Sequence, residues 1–599
     1  MADYKRCLVL PSTYRDSVEL MKLSVALEDL AGVHHAAAMM GTPHNKSILR
    51  EAGLLTSEGE HADTNDLLIC VQASAPEVIE HVGQEANQRL AHLRMDVKDP
   101  GKMAPRTLET ALERMPEANL ACISVPGRYA GNETRKALQN GLHVFLFSDH
   151  VDLEKEAELK QLAAKQGLLL MGPECGTAIL NGVPLGFANL LPRGPVGLAS
   201  ASGTGLQQVT CILAQQGIGI SQAFGVGGRD LHKNIGGQSM RAALQMLAID
   251  DDTRVIMLIS KAPHAQVAGR LARETARVGK PCVMALLGGE TRFKSAGTIH
   301  YAATLEHAAL TAVALVRDEP VPNYPRDGLP KRHPSIEAQR AKLQPQQRTI
   351  QGLYCGGTLA YEALWLLRRS LGKVASNLDG TFNTDDEAGH VVLDLGAEEF
   401  TSGRPHPMID PQMRHRRILD AARRLEVAVI LCDVMLGLGS HPDPASALAE
   451  AWREAKGLAC AEGRQMVCIA AVCGTNEDPQ GYDRQCQILR KNGIIVAENN
   501  AQAIRLAEAI VDLNTGLGNV KPFTEGIELQ PATPGSDNRM IEVPAHLPAL
   551  LASGPKVINL GLELFAAQLT ARGVPVVHAD WRPPAGGDLR LANLLERLR

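Results

Sequence analysis

The sequence predicts an α/β fold built from several parallel-sheet domains of the Rossmann-like or flavodoxin-like kind. Short apolar runs rich in β-branched residues alternate with helical patterns along most of the 599 residues. That alternation is typical of βαβ units, in which each helix returns the chain to the same edge of a parallel sheet. At roughly 150 residues per domain, the length predicts about three to five domains.

The apolar runs place the strands, and polar or proline-rich breaks divide the chain into units. Strands are expected at 7–10, 33–40, 66–72, 119–125, 142–148, 168–171, 195–200, 221–226, 254–260, 281–286, 350–354, 390–394, 427–432, 466–472, 493–497, 556–560 and 574–578. The expected units are an α/β domain at 1–100, a Rossmann-type domain at 105–192, two repeated α/β units at 193–317 and 349–515, a linker at 318–348, and a C-terminal α/β segment at 540–599.

Charge and hydropathy limit the kinds of molecule that the protein is expected to bind. The chain is 45% hydrophobic and 21% charged, with a formal net charge of −5. Lys and Arg are spread along it, so the basic footprint of a nucleic-acid-binding protein is missing. No apolar run reaches the ~18–20 residues of a membrane helix, and residues 1–10 lack the apolar core of a signal peptide. We therefore expect a cytoplasmic protein with small-molecule substrates.

Cysteine usage indicates a reducing compartment. The 12 cysteines occur singly, with no C-x-x-C pair. Several, such as Cys70 and Cys432, lie in apolar strand-like runs, where a thiol behaves as a small hydrophobic group. We expect reduced, buried thiols and no metal site.

The same pattern occurs twice, at 196–204 and at 350–358: a strand, a tight turn of small residues and the start of a helix. The two segments form a weak internal repeat. Small residues there allow close approach of a ligand, and the first amides of a helix attract anions. The candidate phosphate-binding residues of the two turns are Ser202, Gly203, Thr204, Gly356, Gly357 and Thr358. A capped tight turn is the structural alternative.

Further polar or glycine-rich segments directly follow neighbouring strands, at the sheet edge where open α/β sheets bind ligands. Their candidate binding residues are Gly227, Gly228, Arg229, Gly437, Gly439, Ser440, Thr475 and Asn476. The loop 403–411 is different, because three prolines stiffen a segment that carries Arg404, His406 and Asp410. An arginine fork suits a carboxylate or phosphate, and His or Asp can transfer a proton. A rigid surface loop is the alternative interpretation.

Parts of the chain resemble the two subunits of succinyl-CoA synthetase. Residues 119–179 and 196–315 resemble its α subunit: 171–177 is similar to the G-P-N-C-x-G turn, and 200–204 to the S-x-S-G-T helix start. Residues 350–510 resemble the carboxy-terminal domain of its β subunit. The resemblance implies that the α subunit and this β domain are fused in one chain.

Two departures from succinyl-CoA synthetase bear on function. Where its phosphohistidine loop has histidine, the matching stretch 293–299 has Ser295, and residues 11–14 stand in place of its glycine-rich CoA loop. These departures argue against a phosphohistidine relay and against CoA binding. The chain also has no P-loop motif and no other recognisable ATP site. The helix N termini that remain can hold phosphate without a covalent bond.

Over nearly its whole length the chain resembles the FdrA family. The segments that carry the resemblance are 14–18, 39–43, 225–231, 403–411, 577–578 and 580–581. That family is acyl-CoA-synthetase-like and includes a component of oxamate carbamoyltransferase, in anaerobic allantoin breakdown. The resemblance implies transfer of a carbamoyl group between oxalurate and phosphate, giving oxamate and carbamoyl phosphate. It also implies companion protein subunits and an oligomeric assembly.

The resulting hypothesis is a carbamoyltransferase of purine catabolism. Phosphate would lie between the helix that starts at Gly203 and the one after Gly437–Gly439, with Arg229 or Arg404 as the clamp and His406 as the proton carrier. Two alternatives stay open. One is an acyl-CoA ligase that uses ATP, and the other is a non-catalytic scaffold subunit, for which 1–95 and 540–599 provide surfaces outside the synthetase-like core.

Overall fold

The structure is a computed structural model, and it describes residues 4–11, 13, 15, 17–28, 30–95, 104–288, 297–321, 334–382, 389–401, 405–511 and 546–583. Arg404, Ser295 and most of the polar segment 95–105 lie outside the described residues. Four sheets organise the described part of the chain. Three of them consist wholly or mostly of parallel strands packed against helices, which confirms the predicted α/β class.

The N-terminal unit is a three-stranded sheet with four helices. Its elements are β1 (Tyr4–Leu10), α1 (Ser17–Glu28), β2 (Val33–Met40), α2 (Pro43–Glu51), α3 (Ser57–Glu60), β3 (Leu67–Ala73) and α4 (Pro76–Met95). Strand β3 lies between β1 and β2 and runs antiparallel to both. The parallel-sheet expectation is therefore wrong for this unit.

One pair of cysteines also departs from expectation. Cys7 and Cys70 are directly opposite one another in the β1–β3 pairing and form a disulfide. The prediction of reduced thiols throughout is wrong for this pair, because the antiparallel register brings together two sulfurs that are distant in sequence. Every other cysteine is free, and all of these except Cys460 are buried.

A five-stranded parallel sheet forms the Rossmann-type unit. Its elements are α5 (Leu108–Arg114), β4 (Leu120–Ile123), α6 (Gly127–Gln139), β5 (His143–Leu146), α7 (Leu153–Gln166), β6 (Leu170–Met171), α19 (His546–Ser553), β20 (Val557–Leu560), α20 (Glu563–Thr570) and β21 (Val576–Ala579). The strand order is β21-β20-β4-β5-β6. The separate C-terminal unit predicted at 540–599 is therefore wrong, because β20 lies between β21 and β4 in this sheet.

The first of the two repeated units is a seven-stranded sheet. Its elements are β7 (Thr177–Leu180), β8 (Val183–Gly186), β9 (Arg193–Ser200), α8 (Gly203–Gln215), β10 (Ile220–Gly225), α9 (Gln238–Ile249), β11 (Val255–Ser260), α10 (Ala265–Thr275), β12 (Cys282–Leu286), β13 (Ile299–Tyr301) and α11 (Leu305–Arg317). The order is β13-β12-β11-β9-β10-β7-β8, with the β7–β8 hairpin antiparallel at one edge. We call this unit the first half.

The second half is a six-stranded parallel sheet. Its elements are β14 (Thr349–Tyr354), α13 (Gly357–Leu371), β15 (Val374–Ser376), β16 (His390–Asp394), α14 (Glu398–Thr401), α15 (Gln412–Ala422), β17 (Val427–Met435), α16 (Pro444–Ala461), β18 (Val467–Cys473), α17 (Tyr482–Lys491), β19 (Ile495–Ala497) and α18 (Asn500–Val511). The order is β15-β16-β14-β17-β18-β19. Both β9 and β14 are interior strands, and each leads directly into one of the repeated turns.

The two halves share one hydrophobic core. Buried side chains of α8, such as Val209 and Leu213, belong to the same apolar cluster as Leu359 and Ala363 of α13. The predicted linker at 318–348 contributes as well: it contains α12 (Pro334–Arg340), whose Ile336 is buried in that cluster. The prediction of a linker is therefore wrong for residues 334–340. No helix within the described ranges is long and apolar enough to cross a membrane.

A buried ion network joins the Rossmann-type unit to the first half. Lys160 is fully buried on α7, and its Nζ lies 2.7 Å from Asp230 Oδ1 and 3.1 Å from Glu156 Oε1. The Asp230 carboxylate also accepts hydrogen bonds from Ser239 N and Met240 N at the start of α9. The lysine therefore neutralises carboxylates that have no access to water.

Replacement of Lys160 by Met is expected to lower the free energy of unfolding by about 3–5 kcal/mol, because it leaves the buried carboxylate of Asp230 without its cation. The measurement is urea unfolding followed by circular dichroism. The matched control is Lys155→Met on the same helix, whose 3.6 Å contact with Glu158 is partly exposed and is worth about 0–1 kcal/mol. Equal losses in the two variants would contradict the assignment.

Candidate anion site between two helix N termini

The N terminus of α8 is capped by a side chain of its own turn. Ser202 has extended backbone angles, and its Oγ accepts a hydrogen bond of 2.8 Å from Gly205 N. Ser is favoured at this position because its oxygen satisfies an amide that the helix cannot. A β-carbon at position 203 would meet only ordinary contacts, with Thr177 Oγ1 at 3.6 Å. The first turn of α8 is therefore held open.

The N terminus of α13 depends instead on a buried carboxylate from the neighbouring strand. Asp433, near the end of β17, accepts hydrogen bonds from Cys355 N at 2.8 Å and Gly356 N at 2.7 Å. Burial raises the pKa of Asp433, and the buried guanidinium of Arg414 opposes that shift from 3.4 Å away. Asp433 thus fixes the turn that enters α13.

The two N termini lie against each other. Ser202 Oγ donates a hydrogen bond of 2.6 Å to Thr358 Oγ1, and Thr358 N donates one of 3.3 Å to Thr204 Oγ1. Several amides of the two first turns have no acceptor among the described residues, and Gly203 N, Thr204 N and Gly357 N are among them. These three residues are only partly buried, so solvent reaches the junction of the two helices. The combination of paired helix dipoles and unpaired amides is suited to an anion.

Asp394, at the end of β16, lies at the edge of this site. A β-carbon at position 357 would lie 2.5 Å from Asp394 Oδ2, so the carboxyl group is seated directly on the first residue of α13. Its other oxygen, Oδ1, accepts a hydrogen bond of 3.0 Å from Gly396 N. Burial raises the pKa of Asp394 to about 6, and the ammonium of Lys261 from the first half acts in the opposite direction.

The structure gives the predicted helix after Gly437–Gly439 a different role. The first free amide of α16, Ala445 N, donates to Gln485 Oε1 at 2.9 Å, and Asp443 sits at the same helix start. The side chain of Gln485 therefore already caps the first amide of α16, whereas Asp443 makes no side-chain cap hydrogen bond there. The predicted pairing of α8 with α16 is wrong, and the partner of α8 is α13.

The glycines before α16 serve packing between the halves. Gly437 has φ of 111°, its N–H and C=O both bond to the Gln480 side chain, and a β-carbon there would lie 2.7 Å from Ala188 O. Gly439 has φ of 79° and lies against the ring of Phe187. Ser440 Oγ is buried and has no hydrogen-bond partner in the part of the chain that the structure describes.

Thr475 and Asn476 also make structural contacts. Thr475 Oγ1 donates to Leu190 O at 2.8 Å, and Thr475 N donates to Asp478 Oδ2 at 2.8 Å. Asn476 exchanges two hydrogen bonds with Asp483 in the first turn of α17. These contacts tie the second half to the segment that follows β8.

Arg229 is engaged away from the site. Its Nε lies 2.9 Å from the buried Glu156 Oε2, and its NH2 donates to Val151 O at 2.8 Å. The predicted phosphate clamp by Arg229 is therefore wrong, because a carboxylate with no exposure already holds the cation. Gly227 has φ of 87° and fits closely against Pro173 O, whereas Gly228 is exposed with open space around it.

The proline-stiffened loop contributes one neighbour of the site. His406 Nε2 would lie 2.5 Å from a β-carbon at Gly396, two residues beyond Asp394, and its Nδ1 accepts from Met408 N at 3.2 Å. Burial lowers the pKa of His406 to about 4, so the ring is neutral at neutral pH. Asp410 Oδ1 accepts from Gln412 N at 2.9 Å and so anchors the start of α15. Its predicted catalytic role is not supported by this contact.

Sequence reasoning missed the residues that shape the site most directly, namely Asp394, Asp433, Arg414 and Lys261. Asp394 and Asp433 each follow a run of apolar strand residues. A carboxylate at the carboxyl end of a buried strand is a signal that was available. Arg414 carries no local signal, because its burial against Asp433 arises from the packing of α15 on β17.

Two family models match parts of the chain. The family model described as CoA-ligase matches residues 353–510, which include α13 and both buried aspartates. The model described as AllF, heavy metal-associated domain, matches residues 2–105. Among the described residues, no three His, Cys, Asp or Glu side chains are placed to hold a metal ion together.

The uncharacterized protein YahF of Escherichia coli K12 is 41% identical over 514 residues, which cover 84% of this chain and 98% of that protein. The chain belongs to the YahF family. Members of other groups match shorter stretches. The α 2 subunit of the ADP-forming succinate–CoA ligase of Archaeoglobus fulgidus is 26% identical over 210 residues, covering 34% of this chain and 70% of that subunit.

Another relative is subunit SauD of the ADP-forming sulfoacetate–CoA ligase of Bilophila wadsworthia. It is 24% identical over 187 residues, which cover 29% of this chain and 60% of that subunit. Among solved structures, ATP citrate lyase of Methanothrix soehngenii aligns with a TM-score of 0.30 at 14% identity, over 67% of this chain and 83% of that one. The likeness to CoA ligases thus rests on sequence.

A double-mutant cycle tests the coupling of the two helix N termini. Ser202→Ala and Thr358→Ala each remove one partner of the 2.6 Å hydrogen bond, so their costs to the free energy of unfolding should be non-additive by about 0.5–3 kcal/mol. The control cycle combines Ser202→Ala with Thr42→Ala, which removes the α2 cap in the N-terminal unit and should be additive. Additivity in both cycles would show that the helices are not coupled.

Proposed function

We propose that this YahF-family chain is a CoA-ligase-like enzyme that holds a phosphate or acyl phosphate group between the N termini of α8 and α13. The observation that carries the proposal is the set of unpaired amides at Gly203, Thr204 and Gly357. Backbone donors that are fixed before the ligand arrives can stabilise charge that develops on a phosphate oxygen or on a tetrahedral intermediate. The reaction class is transfer of an acyl group between phosphate and an acceptor.

The match to the CoA-ligase model and the named ligase relatives support this class. Both of these relatives are subunits of ADP-forming CoA ligases, so a carboxylic acid, CoA and a nucleotide are the first substrates to test. The replacement of a phosphohistidine by Ser295 favours a route without a covalent phosphoenzyme.

Carbamoyl transfer is the second candidate. Residues 2–105 match the AllF model, and this match supports the proposal that the chain belongs to the FdrA family. In this version, the site would bind carbamoyl phosphate, and oxalurate and oxamate would be the other substrate and product. None of the relatives named above is a carbamoyltransferase, so this version ranks below the ligase version. Companion subunits and an oligomeric assembly belong to the same proposal.

Charge placed at the first residue of α8 should weaken or abolish phosphate binding. Gly203→Asp adds a negative charge at the helix N terminus, next to Gly176 and Thr177, whereas Gly203→Asn has nearly the same size and no charge. We expect inorganic phosphate to raise the melting temperature of the wild type and of Gly203→Asn, and to leave Gly203→Asp unchanged. Ligand binding at 100 times Kd is worth about 2.7 kcal/mol, so the shift is measurable. Equal responses of the two variants would remove α8 from the site.

Product analysis distinguishes the two candidates. Purified protein is incubated either with ATP, CoA and a panel of carboxylic acids, or with oxalurate and inorganic phosphate. ADP and phosphate release that depends on both CoA and an acid is the expected result. Formation of carbamoyl phosphate and oxamate would instead establish carbamoyl transfer. Turnover in neither mixture, together with no response to phosphate, would overturn both and favour the scaffold alternative.

A further inference from the structure

The carboxyl group of Asp394 is largely buried, and only one of its two oxygens accepts a hydrogen bond from the described residues. The residue is 7% exposed, and among the described residues its Oδ2 accepts no hydrogen bond, whereas Oδ1 is held by Gly396 N. Oδ2 is also the oxygen that lies against Gly357, at the first residue of α13. Oδ2 therefore has lone pairs available to a ligand, and it lies beside the same helix end at which Gly357 N has no acceptor among the described residues.

The charges around this carboxyl group come from both halves of the molecule. Lys261, just after β11, lowers its pKa, whereas Asp433 of β17 and Glu399 of α14 raise it. Arg414 of α15 is paired with Asp433, and His406, beside Gly396, is neutral above about pH 4. With every carboxyl group ionised, three negative charges face two positive ones. A phosphate dianion could enter this environment only against added repulsion.

We propose that Asp394 is protonated in the ligand complex and donates a hydrogen bond from Oδ2 to a tetrahedral oxyanion held at the N terminus of α13. This inference rests on the proposed function, because it assumes that the helix pair binds phosphate or an acyl phosphate. Binding of the anion is therefore coupled to uptake of one proton. Asp394 becomes a binding residue of the site, and the proton removes the repulsion that the ionised carboxylate would exert.

The glycine at position 357 fits this role. Any side chain there would be pressed against Asp394 Oδ2, because the β-carbon alone would come within 2.5 Å. Glycine therefore allows the carboxyl group to approach the helix end closely. The φ angle of Gly357 is not in the left-handed region, so backbone strain does not require a glycine here. Close approach of the carboxyl group is the reason that remains.

Sulfate is the probe for this coupling, because it stays a dianion between pH 5 and 8 while phosphate titrates in that range. Equilibrium dialysis with radiolabelled sulfate, at constant ionic strength, gives Kd for the full-length chain. In the wild type, Kd should rise by up to about tenfold for each pH unit above the pKa of about 6. In Asp394→Asn, whose amide donates a hydrogen bond at every pH, Kd should stay constant. Asp420→Asn, an exposed carboxylate paired with Arg423, should behave as wild type.

The outcomes separate this inference from the proposed function. A steep pH dependence in the wild type and its loss in Asp394→Asn supports proton uptake by Asp394. Binding that shows the same pH dependence in both proteins overturns the inference and leaves the anion site intact. Sulfate and phosphate that fail to bind the wild type at any pH overturn the proposed function itself.

The unliganded protein provides a second readout. The folded-state pKa of Asp394 lies above the ordinary value of 3.8, so the carboxyl group contributes stability that is present at low pH and is lost as the pH rises through about 6. The melting temperature of Asp394→Asn relative to wild type should therefore increase between pH 5 and pH 8. A difference that does not change with pH would contradict protonation at this residue, and it would do so whether or not a ligand binds.

Discussion

The contact on which the site depends is the mutual capping of α8 and α13. Each helix starts with amides that no helix can satisfy internally. Here Thr204 Oγ1 accepts from Thr358 N across the boundary between the halves, and Ser202 Oγ donates to Thr358 Oγ1 beside it. The contact fixes the distance between two positive helix ends, which would otherwise repel each other. The amides that it leaves unpaired are consequently concentrated in one place. Anion binding and the association of the halves thus draw on the same few residues.

Burial of charge fixes the rest of this region. Asp433 is removed from water, and its oxygens are used to hold the turn before α13, with Arg414 as the compensating cation. Lys160 likewise compensates the buried charge of Asp230, at the junction of the Rossmann-type unit with the first half. The Arg414–Asp433 pair lies within the second half, whereas the Lys160–Asp230 pair connects two units. The second pair therefore helps to specify how those units join, although buried ion pairs add little net stability compared with apolar packing.

Most of the fold was accessible from the sequence, because parallel strands that are buried on both faces give uninterrupted apolar runs. The strands at 195–200 and 350–354 and the helices after them lie where the periodicity places them. The repeat of small residues at 202–204 and 356–358 also identified the two turns that meet. What periodicity could not supply was the pairing of distant segments. The α8–α13 contact, the position of β20 beside β4 and the disulfide of Cys7 with Cys70 all depend on tertiary packing.

The same limit explains the errors at the candidate site. Arg229 and the glycines at 437 and 439 have the residue types of an anion site, yet Glu156 and the segment 187–190 occupy them. Local composition cannot tell a ligand contact from a contact between units, since both call for small residues, hydroxyls and charged side chains. Asp394 shows the converse, because nothing in its sequence neighbourhood indicates that it lies against the first residue of α13.

The placement of β20 has a consequence for synthesis of the chain. Its neighbours in the sheet are β21 and β4, and β4 is made more than 400 residues earlier (Val557 pairs with Leu120). The Rossmann-type unit therefore lacks an interior strand throughout translation of both halves, and the exposed edge of β4 has to be kept from other partners during that time. Both halves can close their own sheets first, so this unit is expected to be the last to fold on the ribosome.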